Sequence, residues 1–400
     1  MRSDGMRGQF FVACAVLLLL FAVDIFSQED EGMLIGCLAE GNTDFAMRLY
    51  GELKGAEGNI FFSPYSVSSA MGMAYSGARQ NTAKELKEAL RFDVSQKQLP
   101  LTFRLLNEEL EEKAAREGIR LNIANGLCLT GGGVSGEFKS LLGDNFGAEI
   151  FSGGLDKINI WVSRKTEGKI PKILESLDPN SVCVLLNAVY FKGTWKNRFK
   201  VQDTREMTFY VSSGKNISVP MMHQKLPVRI LQGEGFRAAE LPYRGNRLSM
   251  VILLPDGADG LPGVEKQLTP TSLKQWLGEL DRLPEDEAML YIPRFKLETG
   301  YDLVPAFRAL GVKDAFDKSG KADFSGMGWK KGELWISQIK HRAFVEVNEE
   351  GTEAAAATGV AMGLKSMPMG QITFRADRPF LFLIEDPRTG LVLFMGRLED

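Results

Sequence analysis

The chain carries two histidines, His223 and His341. That scarcity excludes a histidine-rich metal site, and a serine–histidine–aspartate triad could draw on only one of the pair. No P-loop, CxxC pair, HExxH helix or Gly-x-Ser-x-Gly elbow occurs. Gly131, Gly133 and Gly136 in TGGGVSG have the spacing of a dinucleotide fingerprint, and Asp156 lies 20 residues beyond the last of them. The surroundings lack alternating βαβ units, and Asp156 does not end an apolar strand, so the motif predicts a glycine-rich strand-to-helix loop. The carboxylate pairs Glu108/Glu109 and Glu111/Glu112 fall on a helix's polar face. Lys84 and Lys87 alternate with Glu85 and Glu88. Both patterns predict solvated helix surface rather than acid–base or polyanion chemistry.

The unusual segment is residues 351–373. Glu349 and Glu350 end the strand-like run HRAFVEVN, Gly351-Thr352-Glu353 follows, and AAAATGVAMGL (354–364) carries no charge. Composition alone allows a surface helix or a flexible linker. The alternation is more informative. Thr352, Ala354, Ala356, Thr358, Val360 and Met362 would share one face of a strand, with Glu353 on the other. Such a segment can enter a sheet without burying a charge. Lys365 and Ser366 follow it.

The elements that would position this segment fall in two groups. The first half predicts helices. Thr43 or Asn42 caps one carrying Phe45, Leu49 and Leu53; Asn81 caps NTAKELKEAL, with Ala83, Leu86 and Leu90 inward; residues 101–117 form another. Strands dominate later: 183–191, 248–254, 289–295 and 341–347, then 380–385 and 391–396 as a hairpin about the turn Asp386–Gly390. No repeat or long Pro/Ser linker divides the chain, which predicts one mixed α+β domain.

Composition sets the limits. The 400 residues are 44% hydrophobic and 25% charged, as in ordinary globular proteins. A net charge of −3 is no platform for nucleic-acid binding. Residues 10–23, FFVACAVLLLLFAV, follow Arg2 and Arg7 and stop at Asp24. This run is shorter than the ~20 residues of a membrane span and predicts a signal peptide, residues 1–27, removed after Ser27. The mature chain keeps its net charge of −3, because two basic and two acidic residues leave together. Cys37, Cys128 and Cys183 remain, an odd number read as buried small hydrophobes. Asn216-Ile217-Ser218 is a glycosylation sequon.

Several long motifs in order resemble one family. NIFFSPYSV (59–67), LLNAVYFKGTW (185–195), GVKDAFDKSGKADFSGM (311–327) and FRADRPFLFLI (374–384) are similar to those of serpins, the serine-protease-inhibitor fold, and the likeness runs from about Cys37 to Asp400. It implies an α+β serpin fold of helices with three β-sheets and an exposed reactive-centre loop at about 349–373, within a single domain of residues 28–400.

The resemblance also implies a mechanism. A protease attacks the exposed loop, an acyl-enzyme forms, and the cut loop inserts into the large sheet with the protease attached. The reactive bond is expected fourteen residues beyond Gly351, at Lys365–Ser366, and a lysine there suits a trypsin-like enzyme. Glu349, Glu350, Gly351, Thr352, Glu353, Ala354, Ala355, Ala356, Ala357 and Thr358 match the inhibitory hinge. Ser63, Ser66, Asn187 and His341 match the shutter that controls sheet opening. Trp195 and Arg294 match the breach where insertion starts, with Arg294 paired to Glu349. The expected protein is a secreted monomer, free of metal, cofactor, nucleic acid and membrane after signal removal. It would form a 1:1 covalent complex with a trypsin-like serine protease and would not be an enzyme. The alternative is a non-inhibitory carrier, chaperone or storage serpin, which charged or bulky residues at 352–358 would favour. One departure stands out: the connection FSGGLDK (151–157) is roughly ten residues shorter than the family's, so the helix after it, helix F, is expected to be a shortened and weaker clamp.

Overall fold

The computed structural model describes residues 28–116, 119–178, 181–211, 216–352 and 372–400. The first part holds α1 (Gln28–Leu53), α2 (Pro64–Gly77), α3 (Gln80–Leu90), α4 (Leu99–Arg116), α5 (Gly136–Phe146) and α6 (Leu155–Lys165), with β1 (Ile60–Phe62), β2 (Arg120–Leu129) and β3 (Glu149–Ser152) among them. Strands then take over: β4 (Cys183–Thr194), β5 (Arg205–Tyr210), β6 (Asn216–Gln232), β7 (Phe236–Pro242) and β8 (Ser249–Pro255). After α7 (Leu261–Gln267) and α8 (Pro270–Arg282) come β9 (Asp286–Pro293), β10 (Phe295–Asp302), α9 (Val304–Ala309) and β11 (Ile336–Asn348). The chain closes with β12 (Gly351–Thr352), β13 (Ile372–Arg375), β14 (Phe380–Asp386) and β15 (Leu391–Leu398).

Two of the expected helix starts differ. Neither Asn42 nor Thr43 is a cap, because α1 begins at Gln28. Both side chains are buried and bonded elsewhere: Asn42 Nδ2 donates to Val392 O at 2.9 Å, and Thr43 Oγ1 lies 3.1 Å from both Gly390 O and Ala39 O. Tertiary partners thus outcompete capping. Asn81 lies inside α3, whose cap is Arg79, and donates to Glu85 and Asp314. Leu86 and Leu90 point inward as expected, while Ala83 is half-buried. The start of α2 shows the orthodox signal. Ser63 caps it by accepting from the Ser66 N–H at 3.1 Å, and Pro64 occupies the first turn, where its missing N–H costs nothing.

Hydrogen bonding joins the described strands into a smaller sheet and a larger array that divides in two at β6, consistent with three sheets. The larger runs β1-β15-β14-β8-β7-β6-β9-β13, with β5 also on β6. Its two parts share the 17-residue β6, which pairs with β5 and β9 at one end and β7 at the other. The smaller runs β10-β11-β12-β4-β2-β3. Here β4 and β11 are parallel neighbours from Cys183/Ile336 to Tyr190/Phe344. Helix α2, buried along nearly its whole length, lies between β4 and β15 and joins the sheets in one apolar core. A second cluster covers the opposite face of the smaller sheet beneath α6.

Candidate functional site

The site is the seam between β4 and β11. Past Tyr190 and Phe344 the two strands part, and β12 occupies the gap. The chain leaves β11 at Asn348, turns over Glu349 and Glu350, and returns as Gly351–Thr352. This short strand is antiparallel to both neighbours: Thr352 lies opposite Val347 and Gly193, and Gly351 opposite Asn348 and Thr194. Gly351 has φ +151°, and a Cβ there would sit 1.9 Å from Gly193 O, so no side chain fits. Thr352 is fully buried, and its hydroxyl meets that of Tyr243 at 2.7 Å.

Two expected breach residues hold this turn. Arg294 Nε donates to both oxygens of Glu349, at 2.7 and 2.8 Å, its Nη2 donates to Oε1, and the Thr204 hydroxyl reaches the same carboxylate. Glu349 is 3% exposed, so this planar, two-point partner is what makes a carboxylate tolerable there. Trp195 donates from Nε1 to Asn348 O at 2.9 Å and from its backbone to Glu350 O at 2.8 Å. The Glu350 side chain is exposed.

Lower in the seam, the four expected shutter residues converge. The Ser63 N–H donates to His341 Nε2 at 3.1 Å, so the ring proton belongs on Nδ1, which donates to Asn187 Oδ1 at 2.5 Å. Asn187 Nδ2 donates to Ser66 O at 3.0 Å, Ser66 Oγ at 2.6 Å and Asn125 Oδ1 at 2.9 Å. Asn125 Nδ2 continues to Ser69 Oγ at 2.9 Å. Asn125, Asn187 and His341 are register partners on β2, β4 and β11, so the chain of amides and imidazole crosses three strands in one row. Burial holds the His341 imidazole down to about 3, neutral in the core. Sequence reasoning missed Asn125 and Ser69. A lone asparagine inside the otherwise apolar run IANGLCL was the available signal.

The seam has a cover. Ile158, Trp161 and Val162 of α6, with Ile170, Ile173 and Leu174 after it, pack on residues of β2 and β4 and on Phe344 of β11. The short connection is bridged by Gly153 and Gly154, and α6 is an 11-residue helix whose N-terminus has no side-chain cap. Its fastening comes from the side. Glu149 of β3 accepts from Trp161 Nε1 at 2.9 Å and pairs with Arg164 and Lys165. Asn159 Oδ1 accepts the Ile173 and Leu174 N–H groups at 2.9 and 3.1 Å. Gly126 makes the close approach possible, since a Cβ there would lie 2.7 Å from the Trp161 ring.

The remaining expectations sort as follows. Residues 1–27 and, in the hinge and loop, Glu353, Ala354–Ala357, Thr358, Lys365 and Ser366 lie outside the described residues. Asn216 is exposed at the start of β6. Cys128 and Cys183 are buried, but Cys37 is exposed, because it falls on the outward side of a helix that begins earlier than expected. The glycine-rich segment is the strand-to-helix loop expected, running from β2 to the Ser135 cap of α5. Glu109 is not merely solvated: it pairs with the buried Arg247 at 3.0 Å. No helix among the described residues is long and apolar enough to cross a membrane.

Comparison with known proteins agrees with this geometry. The family described as Serpin (serine protease inhibitor) matches residues 40–400. Leukocyte elastase inhibitor of Equus caballus is 39% identical over 382 residues, 91% of this chain and 99% of its own. Serpin B6 of Macaca fascicularis is 41% identical over 382 residues, with coverage of 91% and 99%. Antithrombin-III of Ovis aries is 36% identical over 387 residues, covering 91% and 81%. Among solved structures, the thermophilic serpin tengpin in its native state has a TM-score of 0.80 at 29% identity, covering 90% of this chain and 94% of its own. Native protease nexin-1 with heparin has a TM-score of 0.80 at 28% identity, covering 92% and 100%. The chain belongs to the serpin family of serine protease inhibitors.

Proposed function

We propose that this protein is a secreted, monomeric suicide inhibitor of trypsin-like serine proteases, cleaved at Lys365–Ser366 and completed by strand insertion. The observation that carries the reading is β12. Gly351 and Thr352 of the hinge already run antiparallel between β4 and β11, and the Thr352 side chain is buried there. A loop begun this way has a track to follow.

The chemistry belongs to the protease. Its serine oxygen attacks the Lys365 carbonyl, the amine of Ser366 takes a proton and leaves, and an ester joins Lys365 to the enzyme. The freed strand then continues from Thr352 down the seam. About twelve residues at ~3.3 Å each carry the attached protease ~40 Å before water can hydrolyse the ester. Lys365 would supply the cation that a trypsin-like acidic pocket selects. Residues 1–27 would direct secretion as a signal peptide, residues 28–400 would form a single domain, and Asn216 would carry a glycan.

Incubation with a panel of trypsin-like proteases tests the reading. A covalent complex that survives denaturing electrophoresis is expected, with release of a fragment beginning at Ser366. A fragment beginning elsewhere overturns the placement of the bond. Cleavage without any trapped complex overturns inhibition. Protein collected from the medium of expressing cells should begin at Gln28, and retention inside the cells would refute secretion.

A further inference from the structure

Tyr243 belongs to the other sheet. It directly follows β7, its N–H donates to Leu248 O at 2.9 Å, and it bridges to Trp195 just past β4. Its ring lies flat on Trp195, centroids 4.7 Å apart and 11° between planes, and edge-on to Phe191 at 5.1 Å. Gly193 gives it passage, since a Cβ there would lie 2.7 Å from the ring. Three aromatic and glycine contacts thus aim one hydroxyl at the mouth of the seam. Neither that hydroxyl nor the Thr352 hydroxyl has a second hydrogen-bond partner among the described residues, and both residues are fully buried.

We propose that Tyr243 is a positioning residue that seats Thr352 and so starts strand insertion before the protease cuts. This deepens the inhibitory reading above and rests on it. The physical reason is nucleation. The first rung of a strand fixes backbone angles for few bonds, whereas each later rung extends an existing ladder. A buried hydroxyl that pairs only with the first inserted side chain keeps that rung formed. It also makes the first position selective for threonine or serine, because an apolar side chain leaves the Tyr243 hydroxyl unpaired in the core. After cleavage the loop then propagates instead of nucleating, which favours trapping over release.

The test compares Tyr243→Phe, Thr352→Val, Thr352→Ser and the double Phe/Val variant. Tyr243→Phe should leave the rate of loop cleavage unchanged but raise the ratio of cut, untrapped inhibitor to covalent complex about fivefold, the change that one lost buried hydrogen bond makes in a ratio of rates. Thr352→Val should do the same, Thr352→Ser should behave as wild type, and the double variant should be no worse than either single. Wild-type stoichiometry in the single variants, or multiplicative effects in the double, overturns the proposal. Should Tyr243→Phe fold poorly, Thr352→Val against Thr352→Ser decides: a difference supports the seat and equality overturns it. Hydrogen exchange at the Gly351 and Thr352 amides of uncut protein needs no protease. Faster exchange in Tyr243→Phe supports the seat and unchanged exchange overturns it, even if a wild-type protein that traps nothing has already refuted the inhibitory reading.

Discussion

His341 of β11 donates from Nδ1 to Oδ1 of Asn187 on β4, directly across the line along which the proposed insertion would part the seam. A strand inserted between them would force these register partners to roughly twice the ~4.8 Å spacing of adjacent strands, so the bond must break. On the proposed mechanism it therefore holds the uncut form closed.

The same histidine sets an acid limit. Its pKa is held to about 3 by burial, below the ordinary 6.5 of the unfolded chain. The native state thus binds fewer protons than the unfolded state between those values. The contribution is present above pH 6.5 and is lost as pH falls through about 3, worth at most about 5 kcal/mol. In His341→Gln, which can replace both hydrogen bonds, the urea midpoint should fall less between pH 7 and pH 4. Equal falls in the two proteins would refute the assignment.

Glu385 has the opposite sign. Burial first, then the neighbouring Glu240 and Asp386, push its carboxyl up to about 8, and its Oε2 has no hydrogen-bond partner among the described residues. The native state binds the extra proton here. This contribution is complete below the unfolded value of 4.5 and is lost as pH rises through about 8. Glu385→Gln should therefore be more stable than wild type at pH 9 and close to it at pH 4. A variant that is less stable at pH 9 sinks the argument.

Gly351→Ala should unseat β12. The new methyl would lie 1.9 Å from Gly193 O, at a backbone φ of +151° that alanine resists. Thr352 would leave the seam with it, and the amides of both residues should lose their hydrogen-exchange protection. Retained protection would mean that β4 and β11 yield more readily than their packing implies.

Thr352→Arg probes the next step. The position is fully buried, and an unpaired cation there costs several kcal/mol even after relaxation. Each 1.36 kcal/mol on a barrier slows a step tenfold, so insertion should lose its race with deacylation. The loop should still be cut at the proposed Lys365–Ser366 bond while the covalent complex expected of wild type is missing from denaturing gels. Wild-type trapping by this variant would remove insertion from the mechanism.

Legibility in the sequence followed the range of the interaction. The hairpin of β14 and β15 was readable because alternating apolar runs flank a local turn. Asn187 and Trp195 were readable within the motif LLNAVYFKGTW, and Arg294 and His341 through the wider family likeness, which carries spatial information that composition does not. Tyr243 was not readable, because it reaches the seam from the end of a strand in the other sheet. Asn42 and Thr43 misled for the same reason. Their side chains reach Val392 and Gly390, and no local pattern announces a buried asparagine inside a helix.

The direction of the strands at the seam has a thermodynamic consequence. β4 and β11 run the same way, and β12 runs against both. A strand continuing from Thr352 would dissolve the parallel ladder between Cys183/Ile336 and Tyr190/Phe344. In its place it would build two antiparallel ladders, one on each side. Antiparallel pairing is slightly the more stable per residue, and there would be twice as much of it. On the proposed mechanism the uncut protein is a sheet that has yet to receive its central strand, and the work of moving a protease would come from the backbone geometry of the ladders that strand builds.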